Sequence, residues 1–197
     1  VVTNEKFSRI FSKWAEGINS SSKYSFIIDV VNDGTTSNDS RLGAIADIQF
    51  VIKHRKINDD LLIAAGDNIF QFDFSDFSKF YKDNKGHAIV AQQLDDPVRL
   101  SQRGVVTFNS ESKIIAFQEK PQNPQSDFVC PVLYLHLARD ISLYQTYLAS
   151  DANPDAPGFF INWLYKQSDV YVYVMKTPAI DIGTLETYER VSSEFKS

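Results

Sequence analysis

Leu61-Leu62-Ile63-Ala64-Ala65-Gly66-Asp67-Asn68 is a short apolar run that stops at a carboxylate. Such a run suits a strand over 61–66 that is buried on both faces. Gly66 interrupts it, and Asp67 then stands at the strand's carboxyl end. A second acidic tip, Ile180-Asp181-Ile182-Gly183-Thr184, lies far downstream. Each tip follows an apolar run and precedes a helix-like segment. In open α/β sheets, ligands bind outside the carboxyl ends of the strands. Two aspartates placed there could converge on one divalent metal beside a phosphorylated substrate, which suggests phosphoryl or nucleotidyl transfer.

Outward from this stretch the chain alternates between the two periodicities. Val1-Val2-Thr3 reads as the end of a strand. A helix follows, with Asn4 as its N-cap and Phe7, Ile10, Phe11 and Trp14 at helical spacing; Gly17 suits its exit. Residues 24–31 read as a strand and 32–40 as a polar loop. Leu42, Ile45, Gln49 and Ile52 mark a helix capped by Asp39 or Ser40. Phe77, Phe80 and Tyr81 mark another helix, and 87–93 is strand-like. This alternation predicts a parallel sheet with helices on both sides. The middle differs: 104–108 and 113–118 predict a hairpin over Asn109-Ser110-Glu111-Ser112. Residues 128–137 and 170–175 read as strands, 141–149 and 157–166 as helices, and a last helix starts near Thr184. No repeat, low-complexity tract or linker interrupts the chain, so one domain over 1–197 is expected.

The 197 residues can enclose a sizeable core. A net charge of −5 disfavours an extended nucleic-acid surface, so an anionic substrate needs local positive charge or a metal. The single Cys130 sits among apolar neighbours and reads as a core thiol; it excludes an internal disulfide and fits a reducing, cytoplasmic setting. No stretch approaches the length of a membrane span. His54, His87 and His136 lack ligand spacing and read as structural or surface residues, and Trp14 and Trp163 read as core.

Four motifs then fall in order: Gly66-Asp67-Asn68, Gly104-Val105-Val106, Glu119-Lys120-Pro121 and Asp181-Ile182-Gly183-Thr184. Each is weak alone. Together, each at the end of an expected strand, they resemble the sugar-phosphate nucleotidyltransferases, which include the glucose-1-phosphate thymidylyl- and uridylyltransferases and the mannose-1-phosphate guanylyltransferases. The resemblance spans essentially the whole chain. It implies an α/β fold with a Rossmann-like, mainly parallel mixed sheet sandwiched by helices. It also implies a reaction: a sugar 1-phosphate oxygen attacks the α-phosphorus of a nucleoside triphosphate, and pyrophosphate leaves. Catalysis of that kind rests on positioning and charge neutralisation.

Residue by residue, the resemblance makes Asp67 and Asp181 ligands of Mg2+. From spacing alone, either could equally be a capping or turn carboxylate. Glu119 would accept hydrogen bonds from sugar hydroxyls and Lys120 would contact the sugar phosphate, with Lys120 and Asp67 as the catalytic pair. The alternative for Glu119 and Lys120 is a solvated pair before Pro121. Gly104 and Gly158 would let the sugar approach closely, and the segment 155–160 would line its pocket; otherwise they are packing glycines. Gly34 and Gly43, with Asp67, would serve the nucleotide. Nothing in this region selects the base.

The family pattern begins with a strand and a Gly-rich loop that wraps the triphosphate; neither precedes Val1. The chain therefore reads as starting near the family's second strand, and by itself is expected to show little turnover. Arg103 stands where many members carry Tyr, and Ala179 where an aromatic is frequent. Two competing expectations follow from the missing loop. One is a noncatalytic sugar-phosphate or nucleotide-binding module. The other is a regulatory subunit within an assembly. The expected partners are a nucleoside triphosphate and a sugar 1-phosphate, without nucleic acid or membrane, and a homo-oligomer stays open.

Overall fold

The computed structural model describes residues 1–194. In chain order its elements are β1 (Val2–Thr3), α1 (Glu5–Asn19), β2 (Val31–Asn32), α2 (Ala44–Arg55), β3 (Leu61–Ala64), β4 (Asn68–Ile69), α3 (Phe74–Asn84), β5 (His87–Gln93), α4 (Pro97–Leu100), β6 (Gly104–Phe108), β7 (Ile114–Glu119), β8 (Phe128–Val129), β9 (Leu133–His136), α5 (Leu143–Leu148), α6 (Pro157–Leu164), β10 (Val170–Val174), β11 (Ile180–Asp181) and α7 (Leu185–Glu194). The chain divides into two compact units: Val1–Asn58 with Tyr144–Pro157, and Asp59–Leu143 with the residues from Gly158 on. No described helix is long and apolar enough to cross a membrane.

In the first unit, β1 and β2 pair in parallel, Val2 opposite Val31 and Thr3 opposite Asn32. Asn4 caps α1 as expected, its side chain accepting from the Phe7 N–H. Gly17 lies inside the helix, which runs on to Asn19. The apolar stripe is not the buried one. Ala15 is buried and Ser8, Ser12 and Ile18 are half-buried, whereas Ile10 is 67% and Trp14 48% exposed. Small side chains thus take the packed face of α1, and Trp14 is not a core residue. The expected strand over 24–31 shrinks to Val31–Asn32. Its partner β1 offers only two residues, and the Asn19 carboxamide takes both the N–H and C=O of Ile28 at 2.7 and 2.8 Å.

Helix α2 starts later than expected. Ser37 caps a short 3-10 turn at Asn38–Ser40, and Gly43, at φ 92°, then opens α2. The first α2 amides, of Ala44 and Ile45, donate to the carbonyls of Asp155 and Pro154 at 3.1 and 2.9 Å. In the same unit, burial and the neighbouring Asp33 carboxylate push the Asp47 carboxyl from 3.8 up to about 6. The folded state therefore holds this proton more tightly than the unfolded one. The contribution of Asp47 to stability is fully present below about pH 4 and is lost as pH rises through about 6. Asp47→Asn is expected to raise the melting temperature at pH 7 by about 2–4 °C, a modest effect because the group is partly solvated. A gain no larger at pH 7 than at pH 4 would contradict this reading.

The second unit is built on a seven-stranded sheet in the order β3-β9-β5-β8-β6-β7, with β10 also on β5. It is the mixed α/β architecture the sequence predicts, but its parallel share is smaller. Within this sheet β10 runs parallel to β5, while the other described pairs are antiparallel. The cause is β9, which inserts between β3 and β5 antiparallel to both. Strand β3 consequently sits at the sheet edge, and its Leu62 is 47% exposed rather than buried on both faces. The expected strand over 128–137 is broken into β8 and β9 at Pro131, which has no N–H to give to a ladder. The hairpin β6–β7 forms as read. Its turn is tied by the Asn109 side chain, which accepts from the Glu111 and Lys113 amides at 3.0 and 2.9 Å.

Helices cover both faces of this sheet. Phe77 and Tyr81 of α3 pack against Ala88 and Val90 of β5 and Leu133 of β9. On the opposite face Phe160 of α6 meets the ring of His136. His87 and His136, each 1% exposed, are structural, as expected. The Leu137 N–H points at His87 Nδ1, so that atom accepts; His136 Nδ1–H then donates to it at 3.1 Å, and His87 Nε2–H donates to Asp140 at 3.0 Å. Burial holds both rings below the ordinary imidazole pKa. Cys130 is a buried free thiol whose pKa is pushed up by desolvation, so it is a core residue and not a nucleophile.

Candidate active site

The two acidic tips, 114 positions apart in the sequence, are joined by a two-stranded ladder. Strands β4 and β11 pair antiparallel, Asn68 opposite Asp181 and Ile69 opposite Ile180. The Ile182 N–H donates to the Asp67 carbonyl at 2.8 Å and extends the ladder by one bond. Each carboxylate is held locally. Asp67 Oδ1 accepts from the Asn68 carboxamide at 2.7 Å. Asp181 Oδ1 accepts from the Gly183 N–H, and Asp181 Oδ2 from Arg103, both at 2.8 Å.

Gly183 shows how near the two groups come. A Cβ added there would stand 3.0 Å from Asp181 Oδ1 and 3.4 Å from Asp67 Oδ2. Among the described residues Asp67 Oδ2 accepts no hydrogen bond. No group of three or more His, Cys, Asp or Glu side chains that could hold a metal ion occurs among them. Two hard oxygen donors facing one point, without a closed cage, suit Mg2+, which commonly takes one or two carboxylates and completes its shell with water and phosphate oxygens. They do not suit a structural zinc site.

Three of the expected sugar contacts also come together. Gly104 of β6 lies directly opposite Glu119 of β7. Glu119 Oε2 lies 3.2 Å from the point a Gly104 Cβ would occupy. The same carboxylate overlaps the Cβ position of Gly158, with its Cδ 2.8 Å away, and the Phe117 ring lies against both glycines. The glycines therefore make room for the Glu119 carboxylate and the Phe117 ring. Burial pushes the Glu119 carboxyl above its ordinary pKa, and the neighbouring Lys120 charge opposes that shift. Lys120 itself adopts a left-handed backbone, φ 48°, and its N–H donates to the Arg103 carbonyl at 3.0 Å. That bond ties the end of β7 to the residue that grips Asp181.

The segment 155–160 is split in its roles. Gly158 adjoins Glu119, Phe160 is a core residue, and Asp155 pairs with Arg41 at 3.0 Å. Gly34 and Gly43 belong to the first unit. Gly34 supplies the positive φ, 80°, of an open turn. At Gly43 the close approach is made by the Pro154–Asp155 backbone, 2.6 Å from where a Cβ would stand. Sequence reading did not single out Asn68 as a carboxylate holder or Arg103 as the partner of Asp181. Arg103 stood out only as the residue occupying a frequent tyrosine position.

Comparison with known proteins follows the same line. The profile of the nucleotidyl transferase family matches residues 1–197. The chain belongs to this family, that of the sugar-phosphate nucleotidyltransferases which its motifs resemble. It is 27% identical over 137 residues to a glucose-1-phosphate adenylyltransferase of Fervidobacterium nodosum, covering 68% of this chain and 33% of that protein. The chain thus spans about a third of the length of that relative. Among solved structures, a Bacillus anthracis protein named as a glucose-1-phosphate thymidylyltransferase, in complex with sucrose, superposes with a TM-score of 0.73 at 21% identity, over 98% of this chain and 74% of that one. A UDP-glucose pyrophosphorylase complexed with UDP-glucose gives 0.68 at 14% identity, over 86% of this chain and 66% of that one. At these identities the two structures establish the shared fold.

Proposed function

We propose that this chain carries the metal-binding and sugar-phosphate-binding part of a sugar-1-phosphate nucleotidyltransferase. The reaction joins a nucleoside triphosphate to a sugar 1-phosphate and releases pyrophosphate. The observation that carries this reading is the convergence of Asp67 and Asp181 across the β4–β11 ladder. Magnesium held by these two carboxylates supplies charge neutralisation to the phosphates of the reactants. Lys120 offers the sugar phosphate a compact positive charge. Glu119, once ionised, accepts hydrogen bonds from the sugar hydroxyls and fixes the ring. The phosphate oxygen is thereby directed at the α-phosphorus. Gly104 and Gly158 keep that carboxylate in place.

In the full-length protein, pyrophosphate release from a nucleoside triphosphate and a sugar 1-phosphate should fall to background when EDTA removes divalent metal. It should recover on addition of Mg2+. Turnover that persists in EDTA would contradict the assignment of the paired aspartates.

A further inference from the structure

Beside Asp181 lies a cavity of about 450 Å3 lined chiefly by Arg99, Arg103, Asp181, Thr184, Thr187 and Arg190. Three guanidinium groups come from three segments: Arg99 from α4, Arg103 from the turn before β6, and Arg190 from α7. Asp181 is the sole carboxylate among the described lining residues. Such a local excess of positive charge runs against the chain's net charge of −5. Arg103 is committed to Asp181 at 2.8 Å. Arg99 and Arg190 are exposed, and among the described residues neither side chain has an ion-pair or hydrogen-bond partner. Two uncompensated guanidiniums facing one cavity leave their donor forks directed at whatever enters it. The planar fork matches phosphate oxygens two at a time.

We propose that this cavity is an anion site for a diphosphate group, gripped by Arg99 and Arg190, and that its occupation draws Arg103 from Asp181 onto the anion. Arg103 then acts as a placeholder. With the cavity empty it neutralises the Asp181 carboxylate; with a diphosphate bound it frees that carboxylate's charge for a cation. Anion binding and cation binding at Asp181 therefore reinforce each other, as linkage requires. The second half of this inference rests on the proposed metal role of Asp181, whereas the anion site does not.

The test is calorimetric titration of the full-length protein with inorganic diphosphate at low ionic strength, first in EDTA and then with Mn2+. Arg190→Gln and Arg99→Gln should each weaken diphosphate binding about tenfold, because each removes a charge-assisted contact. Arg190→Lys should restore part of the loss. Asp181→Asn should tighten binding several-fold in EDTA by freeing Arg103 and removing a negative charge. Diphosphate affinity unchanged in the Arg99→Gln/Arg190→Gln double variant would overturn the anion site. An Asp181→Asn variant that binds diphosphate no more tightly would overturn the placeholder role. A second arm locates the source of the ligand. If the cavity takes the leaving diphosphate, the double variant also raises the KM for nucleoside triphosphate. If it takes a separate phosphorylated effector, that KM stays put while the diphosphate affinity falls. Binding is read without turnover, so a protein that binds diphosphate yet transfers no nucleotide would sink the function and leave this site standing.

Discussion

Asp181→Asn in the full-length protein is expected to lower nucleotidyl transfer by about a thousandfold. A metal-held charge contributes several kcal/mol to a phosphoryl transition state, and each 1.36 kcal/mol is a factor of ten. The substitution leaves the local shape intact. An Asn oxygen still accepts from the Gly183 N–H, which Asp181 Oδ1 caps at 2.8 Å. The Arg103 contact at 2.8 Å weakens, but both side chains are partly solvated, so the fold should lose little. Asp67→Asn should act in the same direction, since Asp67 Oδ2 faces the same point at Gly183. Melting temperatures near wild type alongside the lost turnover would separate chemistry from folding. Retention of turnover within tenfold by both variants would contradict the metal assignment.

Gly158→Ala is expected to raise the KM for the sugar 1-phosphate by about 10- to 100-fold while leaving stability unchanged or slightly improved. An added methyl would overlap the Glu119 carboxylate, whose Cδ lies 2.8 Å away. That carboxylate is the far end of a flexible side chain, so it can move aside at little cost. Gly158 lies in the first turn of α6, where Ala is the better helix former by up to about 1 kcal/mol. The site loses a charged hydrogen-bond acceptor from its position, worth about 1.5–3 kcal/mol. Equilibrium unfolding and steady-state kinetics on the same preparation check both halves. A KM within twofold of wild type would show that Glu119 does not hold the sugar.

Much of the second unit was legible because its signals are local. Asn109 announces a turn by its own side chain. The hairpin of 104–108 and its partner strand alternates cleanly. What could not be read was pairing between distant segments. Nothing in the run of Leu61 to Ala64 reveals that β9 will lie beside it antiparallel, which leaves Leu62 exposed at an edge. Helix α1 misled for a related reason. Its stripe of Phe7, Ile10, Phe11 and Trp14 carries the period, while Ala15 takes the packed face. At the site, the tip carboxylates were visible because each ends an apolar run. Their approach was not, because it depends on a two-residue ladder between segments more than a hundred positions apart. The arginine cavity was invisible for the same reason, since Arg99, Arg103 and Arg190 meet only in the folded chain. The placement of Glu119 against Gly104 and Gly158 followed from the motifs only in part. Register accounts for Gly104, and the packing of α6 accounts for Gly158.

The most direct measurement is product identification with the full-length protein. It would be incubated with Mg2+, a panel of nucleoside triphosphates and a panel of sugar 1-phosphates, and the mixture analysed by mass spectrometry. The account predicts a nucleotide sugar from at least one pair, formed in equal amount with pyrophosphate and absent with Asp181→Asn. Ligand binding by the protein without product from any pair would contradict it and make this chain a binding or regulatory module of the same fold.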